Sequence, residues 1–328
     1  MKKSLIALAV LGSVAGVAQA QSSVTLYGLI DASVSSSSQT IGGVKQKSVT
    51  RLDSGNLNTS RWGLTGSEDL GGGLKAIFRL EQGFDASNGT AGAGTAFARQ
   101  SYVGLSGGFG TVTVGNVWTA MDDVLGATNS GFDSRFSSSN NVSAVKALYA
   151  SNPGNTLKYV SPSFGGFSFA GTYSLDEVAA VKTDIADFSA SYNGGPLLVN
   201  FAYQVQNDFA APNDLKITHL GGAYDFGAVK LLASVGQVKL STGKATDAQV
   251  GVDVPLSSAV TLSGGVSRSK DNAAAGNAKR TGAGVAVTYA LSKRTTTYAG
   301  LNASSEKNAA GVKTEKDRIF AVGMQHTF

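Results

Sequence analysis

Along most of this chain apolar and polar residues alternate one by one, the period of a β-strand whose two faces meet different surroundings. Near the start Val24, Leu26, Gly28, Ile30, Ala32 and Val34 share one face, opposite Thr25, Tyr27, Asp31 and Ser33, with Leu29 out of step. The pattern returns where Val229, Leu231, Ala233 and Val235 oppose Lys230, Ser234 and Gly236, and again at Ala283, Val285, Val287 and Tyr289 against Gly282, Gly284, Ala286 and Thr288. Such segments run about ten residues, the span a tilted strand needs to cross a bilayer. After residue 21 no run of ~18 apolar residues occurs, so no membrane-spanning helix is expected there.

Two kinds of connection alternate between these segments. Tight turns fall at Asp69–Gly73, Gly107–Gly110, Ser163–Gly166, Asn193–Pro196, Asp225–Ala228, Pro255–Ala259 and Leu291–Lys293. Most carry glycine, which supplies the positive φ of a sharp reversal. Longer polar stretches are expected to be loops near 36–58, 84–97, 118–154, 176–183, 207–214, 240–245, 270–279 and 304–314. Seven turns and eight loops make fifteen connections, hence sixteen strands. An even count returns both termini to one side, where the first and last strands can pair and close the sheet.

Composition narrows the class. The 328 residues include 42 glycines, 5 prolines and no cysteine, with 42% apolar and 15% charged types. Disulfides and cysteine-bound metals are excluded, and the low charge argues against disorder. Lys2 and Lys3, the uncharged run Leu5 to Val17 and the small residues Ala18 and Ala20 form a secretory signal, so residues 1–20 are expected to be removed. The formal charge of +5 then loses two lysines and becomes +3. An exported chain without a concentrated basic stripe is not expected to bind nucleic acid.

A soluble barrel would alternate too, but with its apolar face inward. Here one face carries Ser, Thr, Gly, Asn, Gln and isolated charges, while the other is rich in Val, Leu, Ala and Tyr. A wet interior and a lipid-facing exterior follow, because only closed barrels and helices satisfy every backbone group in lipid. In the last strand Phe320, Val322, Met324, His326 and Phe328 alternate, and the chain stops on the phenylalanine. Such an ending resembles the assembly signal of bacterial outer-membrane barrels.

The whole span after residue 20 resembles the Gram-negative general porins of betaproteobacterial and neisserial type. Val24-Thr25-Leu26-Tyr27-Gly28 is similar to their first strand. Ser60 to Gly71 (SRWGLTGSEDLG) resembles the second strand and its turn, and Gly73 to Gln82 the third strand. Arg99 to Leu105 with Gly107, Phe109 and Gly110 matches the fourth, and Val322 to Phe328 the end. The resemblance implies an all-β fold, a 16-stranded antiparallel transmembrane β-barrel with an inward-folded constriction loop after strand 5. It also implies a homotrimer in the outer membrane, in contact with its lipid, inserted by the barrel-assembly machinery and passing small hydrophilic solutes and anions.

Residues 118–154 form the longest stretch without strand pattern and are the candidate constriction loop, with Asp122, Asp123, Asp133, Arg135 and Lys146 among its charges. Parity turns Arg61 and Thr65 inward on the second strand, Lys75, Arg79 and Glu81 on the third, and Lys158 on the sixth. A Lys or Arg on the lipid side at mid-depth would cost about 2–4 kcal/mol. The fourth strand is less clean, and there the family resemblance assigns Arg99 to the lumen. The expected pore lining is therefore Arg61, Lys75, Arg79, Glu81, Arg99 and Lys158 on the wall, facing Asp122 and Asp123. Three wall cations against a few carboxylates give a modest anion preference.

Other chemistries find little support. Asp122 and Asp123 suggest a calcium site, but no ligand loop of suitable spacing follows. The two histidines, His219 and His326, lack a flanking nucleophile motif. Gly71-Gly72-Gly73 precedes no Gly-Lys-Ser/Thr and reads as a hairpin turn rather than a phosphate loop. No enzyme activity, metal or cofactor is expected. A general diffusion pore, a substrate-specific channel and a surface adhesin or structural barrel remain open at this stage.

Overall fold

A computed structural model describes residues 23–92, 95–176, 182–210 and 213–328. The expected signal sequence, residues 1–20, lies outside the described residues, as does 177–181 of one expected loop. The chain forms sixteen antiparallel strands, each hydrogen-bonded to its sequence neighbour. They are β1 (Ser23–Ile41), β2 in three pieces (Val44–Lys45, Val49–Ser54, Arg61–Gly71), β3 (Leu74–Gly83), β4 (Gln100–Gly107), β5 (Gly110–Asn116), β6 (Thr156–Val160), β7 (Phe167–Ser174) and β8 (Ile185–Gly194). The second half holds β9 (Leu197–Ala210), β10 (Asn213–Asp225), β11 (Lys230–Leu240), β12 (Gly243–Pro255), β13 (Val260–Asp271), β14 (Lys279–Ala290), β15 (Thr295–Lys307) and β16 (Lys313–Thr327).

The barrel closes where β1 pairs with β16, in register from Leu29 opposite Thr327 to Ile41 opposite Glu315. Beyond the last strand residue, Gly28 and Phe328 exchange two backbone bonds of 3.1 and 3.0 Å. Closure leaves no unpaired edge for lipid to meet. Outward positions such as Val24, Leu26, Val34, Val103, Phe169 and Phe320 are exposed, while Asp31, Ser33, Ser263 and Asn302 on the other face are buried. A water-facing inside and a lipid-facing outside produce that inversion.

All seven expected turns join consecutive strands. Three expected loops are corrected. Residues 36–58 mostly continue the sheet: β1 runs to Ile41, reverses at Gly42–Gly43, and returns through the first two pieces of β2. Its Ser-rich stretch lacks apolar alternation, yet the ladder needs only backbone groups, and Ser35 points inward to Asp53. Likewise β9 reaches Ala210 before β10 starts at Asn213, and β11 ends only two residues before β12. These strands rise beyond the apolar band, where polar side chains on both faces erase the period-two signal.

Between β5 and β6 the chain departs from the wall. Residues 117–155 carry three short helices, α1 (Ala120–Leu125), α2 (Ser138–Val142) and α3 (Ala144–Leu148). Thr119 starts α1 by accepting the Asp122 N–H, and Ser143 caps α3 through the Lys146 N–H. Helix α1 rests on β8 and β9, α3 on β10 to β12, and α2 on β13 to β15. The loop therefore lies inside the barrel along half of its circumference.

Candidate functional site in the barrel lumen

The remaining wall carries a cluster of charged side chains built from four strands. Glu81 of β3 is only 3% exposed. Its Oε1 meets Arg99 Nε at 2.7 Å, and its Oε2 lies 3.6 Å from Arg61 Nε while accepting the Tyr27 hydroxyl at 2.8 Å. Arg79, two residues before Glu81 and so on the same face, stacks over the Tyr27 ring at 5.6 Å. Just before β4, Arg99 stacks over Trp118 at 5.1 Å. Arg61 is also held by Asn58 Oδ1 and the Thr59 carbonyl, at 3.0 and 3.1 Å. Arg61 and Arg99 thus share one carboxylate while Arg79 adds a third guanidinium beside it, and the patch keeps a positive surplus.

The loop's own charges are nearly balanced. Lys158 of β6 pairs with Asp123 at 2.6 Å and donates to the Trp118 carbonyl at 2.8 Å. Lys146 pairs with Asp133 at 3.1 Å, and Arg135 with Asp317 of β16 at 2.8 Å. Asp122 accepts the Tyr149 hydroxyl at 2.7 Å. Burial pushes the Asp122 carboxyl above the usual aspartate range, against the pull of that hydroxyl and of Lys146. It raises Asp123 too, opposed by Lys158.

What holds the loop is a set of inward side chains on the wall. Asp187 accepts the Ala120 N–H at 3.0 Å, Asn200 donates to the Val124 carbonyl at 2.9 Å, and Gln204 accepts the Ala150 N–H at 2.8 Å. Ser263 accepts the Gly131 N–H at 2.6 Å and Asp247 that of Val145 at 2.8 Å. Apolar contacts add to these: Met121, Val124, Leu125 and Val145 pack on Leu215, Ile217 and Val238, which face inward from β10 and β11. Phe136 is fully buried against Tyr298, with ring centroids 5.9 Å apart. A Cβ at Gly284 or Gly300 would overlap Phe136, so the two glycines form its seat. A closed barrel with a polar lumen, one wall covered by a pinned loop and the other bearing a cluster with a surplus of cations, has the architecture of a channel.

The family model for Gram-negative porins matches residues 7–309. The chain belongs to that family. It is 37% identical over 255 residues to outer membrane porin protein 32 of Delftia acidovorans, covering 73% of this chain and 70% of that protein. An outer membrane porin of Bordetella pertussis is 34% identical over 270 residues, covering 70% of this chain and 68% of its own. The solved anion-selective porin from Comamonas acidovorans superposes with a TM-score of 0.82 at 26% identity, over 94% of this chain and 100% of that one. The protein is an outer-membrane porin of a Gram-negative bacterium, and its family and fold are those of a channel rather than an enzyme.

Within this porin the expected lining residues separate into three groups. Arg61, Arg79, Glu81 and Arg99 come together in one cluster. Lys158 and Asp123 form a pair joined to it through Trp118, while Asp122 turns to Tyr149 of its own loop rather than to a basic residue on the wall. Lys75 shares the inward parity but sits opposite Asp69 beside the turn. Six residues separate it from Glu81, about 20 Å along a strand, so it does not join the cluster. Trp118 and Tyr27 were not among the expected site residues. Tyr27 carried a signal, its inward parity; Trp118 carried none, because ring stacking across the lumen leaves no trace in local pattern.

Proposed function

We propose that this porin is a passive channel for small hydrophilic solutes and ions with a modest preference for anions. The observation that carries this reading is the cluster of Arg61, Arg79 and Arg99 around the single carboxylate of Glu81, on the wall the loop leaves bare. Two surplus charges about 6 Å from a permeating ion contribute about 1.4 kcal/mol in unscreened water. Salt at 0.15 M, with a Debye length of ~8 Å, roughly halves this to about 0.7 kcal/mol. That enriches anions about threefold and depletes cations as much, for an anion-to-cation ratio of about ten.

Reversal potentials of single channels under a potassium chloride gradient test the reading. Anions are expected to pass about ten times better near 0.15 M, with the ratio falling as salt rises. The double variant Arg61→Gln with Arg99→Gln is expected to erase the preference. A cation preference in the parent protein, or an unaltered potential in the double variant, would sink it. The homotrimer that the family resemblance implies belongs to the same proposal, and the mass of the purified complex measures it directly.

A further inference from the structure

The ladder between β1 and β2 is interrupted at one place. Ala32 stands opposite Ser54 and Leu29 opposite Arg61, so two residues of β1, Ile30 and Asp31, face the six residues 55–60 of β2. The extra residues leave the wall at Gly55, whose φ of 80° lies in the left-handed region. They bend into the lumen rather than toward lipid. Asn56 is buried, its carbonyl accepts the Arg135 N–H of the inward loop at 3.1 Å, and Leu57 packs on the cluster of Phe136 and Tyr298. At its far end the segment meets the charged cluster, because Asn58 Oδ1 and the Thr59 carbonyl hold the Arg61 guanidinium.

One residue fixes this segment at both ends and in the middle. Asp31 is fully buried on the inward face of β1. Its Oδ2 accepts the N–H groups of Leu57 and Asn58 at 3.0 and 2.6 Å, and its Oδ1 accepts the Tyr298 hydroxyl. Its backbone completes the clamp. The Asp31 N–H donates to Ser60 Oγ at 2.9 Å, and the Asp31 carbonyl accepts the Ser60 hydroxyl at 3.1 Å and the Gly55 N–H at 3.2 Å. Among the described residues no ion pair reaches the Asp31 carboxylate. A buried carboxylate is costly unless donors surround it, and here three do, two of them from the displaced segment. A regular ladder would need no such group, since two strands pair through their backbones alone.

We propose that Asp31 is a positioning residue for anion selectivity: by holding residues 55–60 off the wall it presents Asn58 and Thr59 to Arg61, and so keeps that guanidinium beside Glu81. The inference rests on the anion preference proposed above and names the buried group on which one of its three cations depends. Asp31 is wholly buried and touches no permeating ion. Its own negative charge disfavours anions, whereas its action through Arg61 favours them. The two effects have opposite signs, which lets them be separated.

Two variants of equal charge test this. Asp31→Asn keeps an amide oxygen for the Leu57 and Asn58 N–H groups and turns its NH₂ to the Tyr298 hydroxyl, which can accept it. Asp31→Ala removes every side-chain partner. In single-channel reversal potentials under a potassium chloride gradient, the anion-to-cation ratio of Asp31→Ala is expected to lie about threefold below that of Asp31→Asn, the contribution of one guanidinium. Arg61→Gln should lower the ratio about threefold when added to Asp31→Asn, and less than about 1.5-fold when added to Asp31→Ala, since both then act through one group. Hydrogen exchange of the purified barrels, read by mass spectrometry, gives a measure independent of selectivity. Peptides spanning 55–60 are expected to exchange at least about tenfold faster in Asp31→Ala than in Asp31→Asn. Ser60→Ala cuts the same clamp without changing charge and should shift both readings in the same direction, which keeps the test available if Asp31→Ala does not fold. Equal exchange in the two Asp31 variants overturns the proposal whatever the selectivity of the channel, as does parental exchange in Ser60→Ala. So does an equal ratio in the two Asp31 variants when Arg61→Gln lowers that of the parent. A parent ratio unmoved by Arg61→Gln would refute the selectivity reading itself, and with it the role of Asp31, even where exchange shows the segment released.

Discussion

Glu81 is the residue on which the lumen's charge balance turns. It holds Arg99 and the Tyr27 hydroxyl, lies 3.6 Å from Arg61, and is the one carboxylate in the cluster. Glu81→Gln keeps one oxygen to accept from Arg99 and turns an amide N–H toward the Tyr27 hydroxyl, which can accept it, but removes the charge. The surplus then rises from two to three, and the same screened Coulomb estimate adds about 0.35 kcal/mol for each sign of ion. The anion-to-cation ratio is expected to increase about threefold, read as a shift in reversal potential under a salt gradient. No shift would mean that Glu81 is electrically hidden from permeating ions. Parity along β2 and β3 was enough to locate Arg61, Arg79 and Glu81 in sequence, because charges avoid the lipid side. It could not show that they converge, since pairing across strands depends on register and on aromatic partners contributed by β1 and by the start of the loop.

At the scale of the element, the loop between β5 and β6 shows what pattern can and cannot carry. Its position was legible as a long gap in alternation between two clear strands. Its docking was not, because the groups that hold it are scattered over β8 to β15 as single polar residues, ordinary in a lumen-facing stripe. Inward Leu215 and Ile217 break the polar parity of β10, and the loop's own apolar residues cover them. Phe136 is the deepest anchor, seated on Gly284 and Gly300 and bridged by Asn302, which donates to the Phe136 and Ser137 carbonyls at 3.2 Å. Phe136→Ala removes a fully buried ring, a change that costs about 3–5 kcal/mol in a packed site. Docking of the distal half of the loop is expected to weaken while the barrel survives, since the ladder does not depend on it. Single-channel recordings should show the open current becoming noisier, with brief conductance steps absent from the parent. A quiet current of parental size would show that hydrogen bonds alone fix the loop.

For the whole molecule the decisive contact is the seam. Alternation and turn chemistry located fifteen connections, but neither says which strands meet to close the sheet; an even count only makes closure possible. The contacts at the two ends supply the answer. Phe328 exchanges two backbone bonds with Gly28, and its ring lies where a Cβ on Gly28 would be, against a residue with no side chain to displace it. The seam between β1 and β16 joins residues nearly three hundred positions apart in sequence. Its loop-closure entropy is unfavourable, and it is expected to form late. A contact at the very end of the seam acts on that step. Deleting Phe328 removes the ring and both bonds yet touches nothing in the lumen. Refolding into detergent micelles, followed by the gel-mobility change between folded and unfolded chain, is expected to slow several-fold, with conductance and anion preference of the folded fraction unchanged. Gly28→Val, which places a branched side chain where the ring lies, should slow folding in the same way while leaving the terminus intact. If the deletion refolds at the parental rate and Gly28→Val alone is slow, the effect belongs to β1 and not to the terminal aromatic.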